Sequence, residues 1–210
     1  MIKKYCVIIG DIVQSKEIKN RGLLQQKFYA ALEKINKQFA SQIVSKFTVT
    51  LGDEFQGVLK DLSSGYAVVN VIQEMFFPVK LRFGVGRGRI ATRLRKEAMG
   101  MDGPAFHFAR EAVEEAREKK REIIYHTGFK EKDAAINALL FAISVFREGR
   151  TQRQFQAVSA YRKYRTQKKA SRAMGIDRTT LTKMLKAAKW DQVSELENAA
   201  NAYVAYFSHN

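Results

Sequence analysis

Three acidic residues sit where apolar strands give way to turns. Asp11 follows the run YCVIIG, and Asp53-Glu54 lies within LGDEFQG. Carboxylates gathered at one edge of a sheet repel each other, and a hard divalent cation with oxygen ligands relieves that repulsion. Such an ion can hold a nucleoside triphosphate and polarise its phosphates. Gly10-Asp11 and Gly52-Asp53 are also ordinary turn dipeptides, because Gly and Asp dominate turns. The chemistry therefore depends on whether the fold brings Asp11 beside Asp53 and Glu54.

The surrounding pattern predicts that it does. Residues 5–10 are a continuous apolar run, the mark of a buried strand. Residues 23–39 space Phe28, Ala31, Leu32, Ile35 and Phe39 as a helix. Residues 43–51 and 55–60 read as strands of a hairpin around Gly52-Asp53-Glu54. Residues 62–76 return to helix until Pro78 stops it, and residues 79–90 alternate as a strand. Pro104 suits the first turn of a helix that carries Ala105, Phe108, Ala109, Ala112, Val113 and Ala116. A short strand at 122–126 and a helix at 131–147 follow. This β-α-β-β-α-β order with additions is the ferredoxin-like pattern of a mixed α/β (α+β) fold with antiparallel strand pairs. It sets the first strand beside the hairpin. Beyond Gly149 only helices are predicted, at 151–165, 166–173, 178–188 and 191–207. The expected domains are 1–148 and 149–210.

Composition narrows the classes. The chain has 210 residues, 46% of them hydrophobic, with 14 Phe, 8 Tyr and 1 Trp. That is ample for a core and excludes disorder as the dominant state. The single Cys6 builds neither an intramolecular disulfide nor a cysteine metal cage and reads as core. His107, His126 and His209 are not spaced as ligands of one metal. No apolar stretch approaches the length of a membrane span, and no secretory signal opens the chain, so a cytoplasmic protein with no membrane contact is expected. The net charge of +16 is uneven: between Arg150 and Lys189 there are 12 basic residues against Asp177 alone.

IIGDIVQSK and LGDEFQG resemble the nucleotidyl-cyclase superfamily, which spans class III cyclases and GGDEF-type diguanylate cyclases. LGDEF matches the GGDEF word at four of five letters. RFGVGRG and GPAFHFAR are similar to later class III blocks. Taken together, GDIVxSK, TLGDEFQG, RFGxGxG and MDGPAFxxARE resemble the SatD family along the whole chain. The cyclase resemblance implies Asp11 and Asp53 as ligands of Mg2+ or Mn2+, with Glu54 a third ligand or base. It also implies Gln14, Ser15 and Lys16 as a loop that cradles phosphates. The departures are specific. Val49 stands at the purine-selecting Lys position, Leu51 replaces the first Gly of GGDEF, and His107 and Glu111 fall on the Asn-x-x-x-Arg pair. Arg110, a minor candidate for ligand contact, is one helical step off, a rotation of about 100° that is expected to point it elsewhere. Without a transition-state cation, phosphoryl chemistry loses much of its stabilisation, so nucleotide binding can outlast catalysis. Gly84-x-Gly86-x-Gly88 lacks a following helix, so it is no P-loop and reads as a glycine-bent strand. Asp102 reads as part of the turn that caps the next helix.

Residues 166–185 resemble a helix-turn-helix. Ala170 and Ser171 let two helices approach, Gly175 supplies the turn, Asp177 caps the second helix, and Met174, Ile176, Leu181 and Met184 make the core. Arg178, Thr179, Thr180 and Lys183 would reach bases or phosphates of double-stranded DNA. Lys168, Lys169, Arg162, Arg165, Lys186 and Lys189 would meet phosphates around them. The apolar stripe of the last helix closes the small domain or pairs two subunits as a homodimer. The leading expectation is a DNA-binding transcriptional regulator whose cyclase-like domain binds a nucleotide with a divalent metal. The alternative is a metal-dependent nucleotidyl-cyclase-type enzyme acting on a nucleoside triphosphate; a scaffold with both sites vestigial comes third.

Overall fold

The structure, a computed structural model, describes residues 3–15 and 21–208. Lys16 and His209 lie outside the described residues. Two compact units form, residues 1–138 with 201–210 and residues 139–200. No helix among the described residues is long and apolar enough to cross a membrane.

The first unit contains β1 (Tyr5–Ile12), α1 (Arg21–Gln38), β2 (Ile43–Leu51), β3 (Glu54–Leu59), α2 (Gly65–Phe76), β4 (Leu81–Gly88), α3 (Pro104–Glu118) and β5 (Ile123–His126). The first turns of α4 (Lys130–Arg147) follow. The sheet order is β2-β3-β1-β4-β5. β1 runs antiparallel to β3 and β4, β2 is antiparallel to β3, and β5 is parallel to β4. The first four strands thus take the ferredoxin-like order, and α3 makes the crossover that a parallel pair requires. The mixed α/β class read from the periodicities is the one observed.

Alternation along β1 divides the sheet into two faces. One face carries Phe55 and Phe83, which meet edge to face with centroids 5.9 Å apart; Phe28 of α1 touches both Phe55, at 5.2 Å, and Phe76 of α2, at 5.0 Å. On the opposite face Val7, Ile9 and Val58 pack with Ala98, Met101 and α3 residues Ala105, Phe106, Ala109 and Val113. Gly84, Gly86 and Gly88 lie on this second face, opposite Ile9, Val7 and Tyr5. A Cβ at Gly84 would collide with the backbone of Ala109 and Val113, and one at Gly86 with that of Ala105 and Ala109. The glycine stripe is therefore not simply a bend in the strand. It is a seat on which α3 rests at backbone contact, with small residues spaced four apart facing it.

An asparagine amide pairs with one residue on each edge strand of the sheet. Asn36 of α1 accepts from Phe47 N at 2.8 Å and donates to Phe47 O at 2.9 Å. Asn137 of α4 does the same for Tyr125, at 2.8 and 3.0 Å. Each amide imitates a neighbouring strand and blunts an edge that would otherwise offer free backbone groups.

The second unit holds α5 (Gln152–Tyr164), α6 (Gln167–Met174), α7 (Arg178–Ala187) and the start of α8 (Trp190–Ser208). Thr151 and Gln154 form a reciprocal capping box on α5, and Thr166 caps α6. Gly175 ends α6 at φ +64°, and Asp177 caps α7. Ala157, Val158, Ala170, Leu181, Leu185 and Ala188 make the buried core, with Met174, Ile176 and Met184 partly buried against it. Glu197, 7% exposed, accepts from Arg147 and from Arg162, the latter at 2.6 Å. Arg162 also lies 4.9 Å from the centre of the Trp190 ring. Arg150 donates twice to the carbonyl of Ala188, at 2.9 and 2.5 Å, and so satisfies a carbonyl just past the end of α7.

The glycine seat yields a stability test. Gly86→Ala places a methyl group against α3 backbone, with no flexible side chain to give way. Urea melts should show a loss of about 2 kcal/mol or more, at the upper end for overpacking. Unchanged stability would mean that α3 does not sit this close.

Candidate functional site

The register of three strands builds a charged row at one end of the first unit's apolar layer. Glu54 of β3 lies opposite Asp11 of β1, and Asp11 lies opposite Arg82 of β4. β1 continues through Ile12, so Asp11 is inside the strand rather than beyond its end. Its place two residues after Ile9 turns it toward the α3 face, where it is 6% exposed.

Arginines answer both carboxylates. Arg82 Nη1 donates to the two Asp11 oxygens at 3.1 Å each, and Arg117 Nη2 from α3 donates to Oδ2 at 2.8 Å. Arg110 forks onto Glu54, with Nη2 2.8 Å from Oε1 and Nη1 on Oε2. The Thr50 hydroxyl adds a bond to Glu54 Oε1 at 3.0 Å. Arg117 also pairs with Glu114 at 2.6 Å. Arg110, Glu114 and Arg117 follow i, i+4, i+7 and so share one face of α3.

Arg110 corrects an expectation drawn from its position. Its single-step offset does not turn it away; it is the residue that faces the hairpin. The pair at the matching positions looks elsewhere. His107 Nε2 lies 2.9 Å from Asp102, and Glu111 lies 3.8 Å from His126 Nδ1. Asp102 lies in the turn that leads into α3, whose N-cap position is held by Gly103 without a side-chain bond. Asp102 Oδ1 accepts from Gly103 N at 2.7 Å.

Burial works to raise the Glu54 carboxyl, but the Arg110 hydrogen bond and charge, with Thr50, outweigh it; the pKa falls below the ordinary glutamate value. The neighbouring Asp53, half-buried in the turn, opposes that lowering. The Arg110 and Arg117 guanidiniums are pushed up by their carboxylate partners. Gln14, exposed at φ +55°, and Ser15 follow Val13 in the turn after β1.

This donor set does not fit a divalent ion. Three guanidinium contacts occupy the Asp11 oxygens, and Arg110 and Thr50 occupy those of Glu54. An oxygen-liganded cation needs the same lone pairs. Among the described residues, no group of three or more His, Cys, Asp and Glu is arranged to hold a metal. Asp11 and Glu54 face each other across the β1–β3 register, with Asp53 next to Glu54 in the turn, but Asp11 and Glu54 are neutralised from within. Arg82, Glu114 and Arg117 were missed. The available signals were Arg82 two places before Gly84 in an alternating strand and Arg117 seven places after Arg110.

The second unit carries a separate exposed array. Arg178, Thr179, Thr182, Lys183 and Lys186 share one solvent-facing side of α7, and Lys168 and Lys169 are exposed at the start of α6. Thr180 is only partly exposed; its amide and hydroxyl both donate to Asp177, at 2.8 and 2.5 Å. It serves the helix cap rather than the open face. Arg162, expected among the phosphate contacts, is instead spent on Glu197 and Trp190. Thr182 and Arg178 both donate to Gln167 Oε1, at 3.1 and 3.2 Å, which ties α7 to α6.

The lowered Glu54 pKa has a defined consequence for stability. Its stabilising contribution is complete above the unfolded value, near 4.5, and is lost as pH falls through the folded value. Urea melts of Glu54→Gln should show a deficit at pH 7 that shrinks as pH drops below about 4.5. A deficit independent of pH would contradict the pairing with Arg110.

Solved structures similar to this chain include the guanylate cyclase domain of RhGC from Catenaria anguillulae, determined with GTP. The identity is 15% over 53% of this chain and 72% of that one, with a TM-score of 0.43. Diguanylate cyclase SiaD of Pseudomonas aeruginosa, determined with its activator SiaC, is 16% identical over 60% of this chain and 50% of its own, with a TM-score of 0.40. A regulator of polyketide synthase expression from Bifidobacterium adolescentis is 14% identical over 98% of this chain and 86% of its own, with a TM-score of 0.32. No curated protein matches the chain. The SatD family profile matches residues 5–200. With that span covering nearly the whole sequence, and the four sequence blocks lying inside it, the chain belongs to the SatD family.

Proposed function

We propose that this protein is a DNA-binding regulator in which the second unit reads a duplex through α7 and the first unit binds a nucleotide that controls it. The supporting observation is the solvent-facing side of α7, with Arg178, Thr179, Thr182, Lys183 and Lys186. A helix-turn-helix presents such a face to the major groove, where Arg and Thr meet base edges and Lys meets phosphates. Lys168, Lys169, Arg165 and Lys189 are exposed in the same unit and suit phosphate contacts beside it. A homodimer would place two such helices on paired half-sites.

For the first unit, the cyclase-like motifs support a nucleotide as ligand. Gln14, Ser15 and Arg110 are the described residues proposed to meet it. The adjacency of Asp11 and Glu54 favours a second reading, an enzyme of the nucleotidyl-cyclase type with Mg2+ or Mn2+. The arginines on both carboxylates weigh against that reading.

Fluorescence anisotropy with a labelled duplex tests the DNA reading. Affinity should fall steeply with salt, with a log–log slope near −5 for about six phosphate contacts. Arg178→Ala with Lys183→Ala should weaken binding at least tenfold and flatten the slope by about 2. Duplex binding that ignores both salt and the double substitution would overturn the assignment to α7.

A further inference from the structure

We infer that Arg82 and Arg117 are built-in counter-cations of Asp11, so that the acidic edge of the first unit keeps its charge balance without a divalent ion. The two guanidiniums come from different elements, β4 and α3, and contact both Asp11 oxygens. The Asp11 side chain is 9% exposed and that of Arg82 14%, so the pair is largely removed from water. Breaking a buried pair leaves an uncompensated charge, a cost well above that of losing a surface ion pair.

Arg117 reaches Asp11 from the rim, its own side chain 51% exposed. Its helix is seated at backbone contact on Gly84, Gly86 and Gly88, which fixes the position from which it reaches, and Arg110 of the same face is forked onto Glu54. An ion entering at Asp11 would have to shed water, displace guanidiniums and then remain beside two positive charges. Mg2+ dehydrates reluctantly, which makes that exchange harder still. Arginine suits the internal role because it stays charged and its planar fork matches a carboxylate. This inference stands apart from the DNA reading of the second unit and is tested on the full chain.

The experiment measures Mn2+ binding from the free-ion EPR signal, together with thermal melts in MnCl2 against NaCl of equal ionic strength. The wild-type protein should leave the signal undiminished, or diminish it equally in Asp11→Asn, and should show no Mn2+-specific shift in melting temperature. The double variant Arg82→Gln with Arg117→Gln should gain about one bound Mn2+ per chain at millimolar ion and lose it again when Asp11→Asn is added. Binding by the wild type that disappears in Asp11→Asn would overturn the inference. So would a folded double variant that gains no ion. Should the double variant fail to fold, the comparison of wild type with Asp11→Asn decides alone.

Discussion

The close approach of α3 to β4 is the constraint on which the rest of the first unit depends. Three glycines on alternate positions of one strand remove the side chains that would hold a helix at the usual distance. Ala105, Ala109 and Val113 answer them from the helix. Once the backbones touch, the rotation of α3 is fixed. Arg110, Glu114 and Arg117 then fall over the row Glu54, Asp11 and Arg82, while His107 and Glu111 point toward other partners. The carboxylates and arginines are thus consequences of packing as much as of charge.

Positive charge is used in two ways in this chain. Six arginines answer acceptors of the fold: Arg82 and Arg117 to Asp11, Arg110 to Glu54, Arg162 and Arg147 to Glu197, and Arg150 to the end of α7, whereas Arg165 and Arg178 are exposed. Exposed lysines remain outward on α6 and α7. Arginine suits the inward role, since a guanidinium is weakly hydrated and forks onto carboxylates, whereas an ammonium holds its water. The dense basic segment therefore presents fewer free charges than its composition suggests, and those that remain are concentrated beside and along α7.

The elements were legible because local pattern decides them. Period-two and period-3.6 spacing located the strands and helices; Gly175 and Asp177 marked the turn before α7. The nearness of Asp11 to the hairpin followed from the β-α-β-β order alone. The partners of those carboxylates were not legible. Arg82 and Arg117 lie 71 and 106 residues from Asp11, and no local period links them. The glycine stripe was visible as a motif, but its meaning depended on a helix that begins only after the long segment following β4. In the second unit, Arg162 looked like a free cation because its acceptor, Glu197, lies 35 residues away.

The central claim is that Asp11 is held by arginine and not by a metal. NMR of the arginine guanidinium groups addresses it most directly, because a hydrogen-bonded guanidinium rotates slowly about its Nε–Cζ bond. Arg82 and Arg117 should show separate, slowly exchanging Nη signals that persist unchanged when MgCl2 replaces NaCl at equal ionic strength. Averaged Nη signals in both buffers, or signals that collapse when Mg2+ is added, would contradict the account.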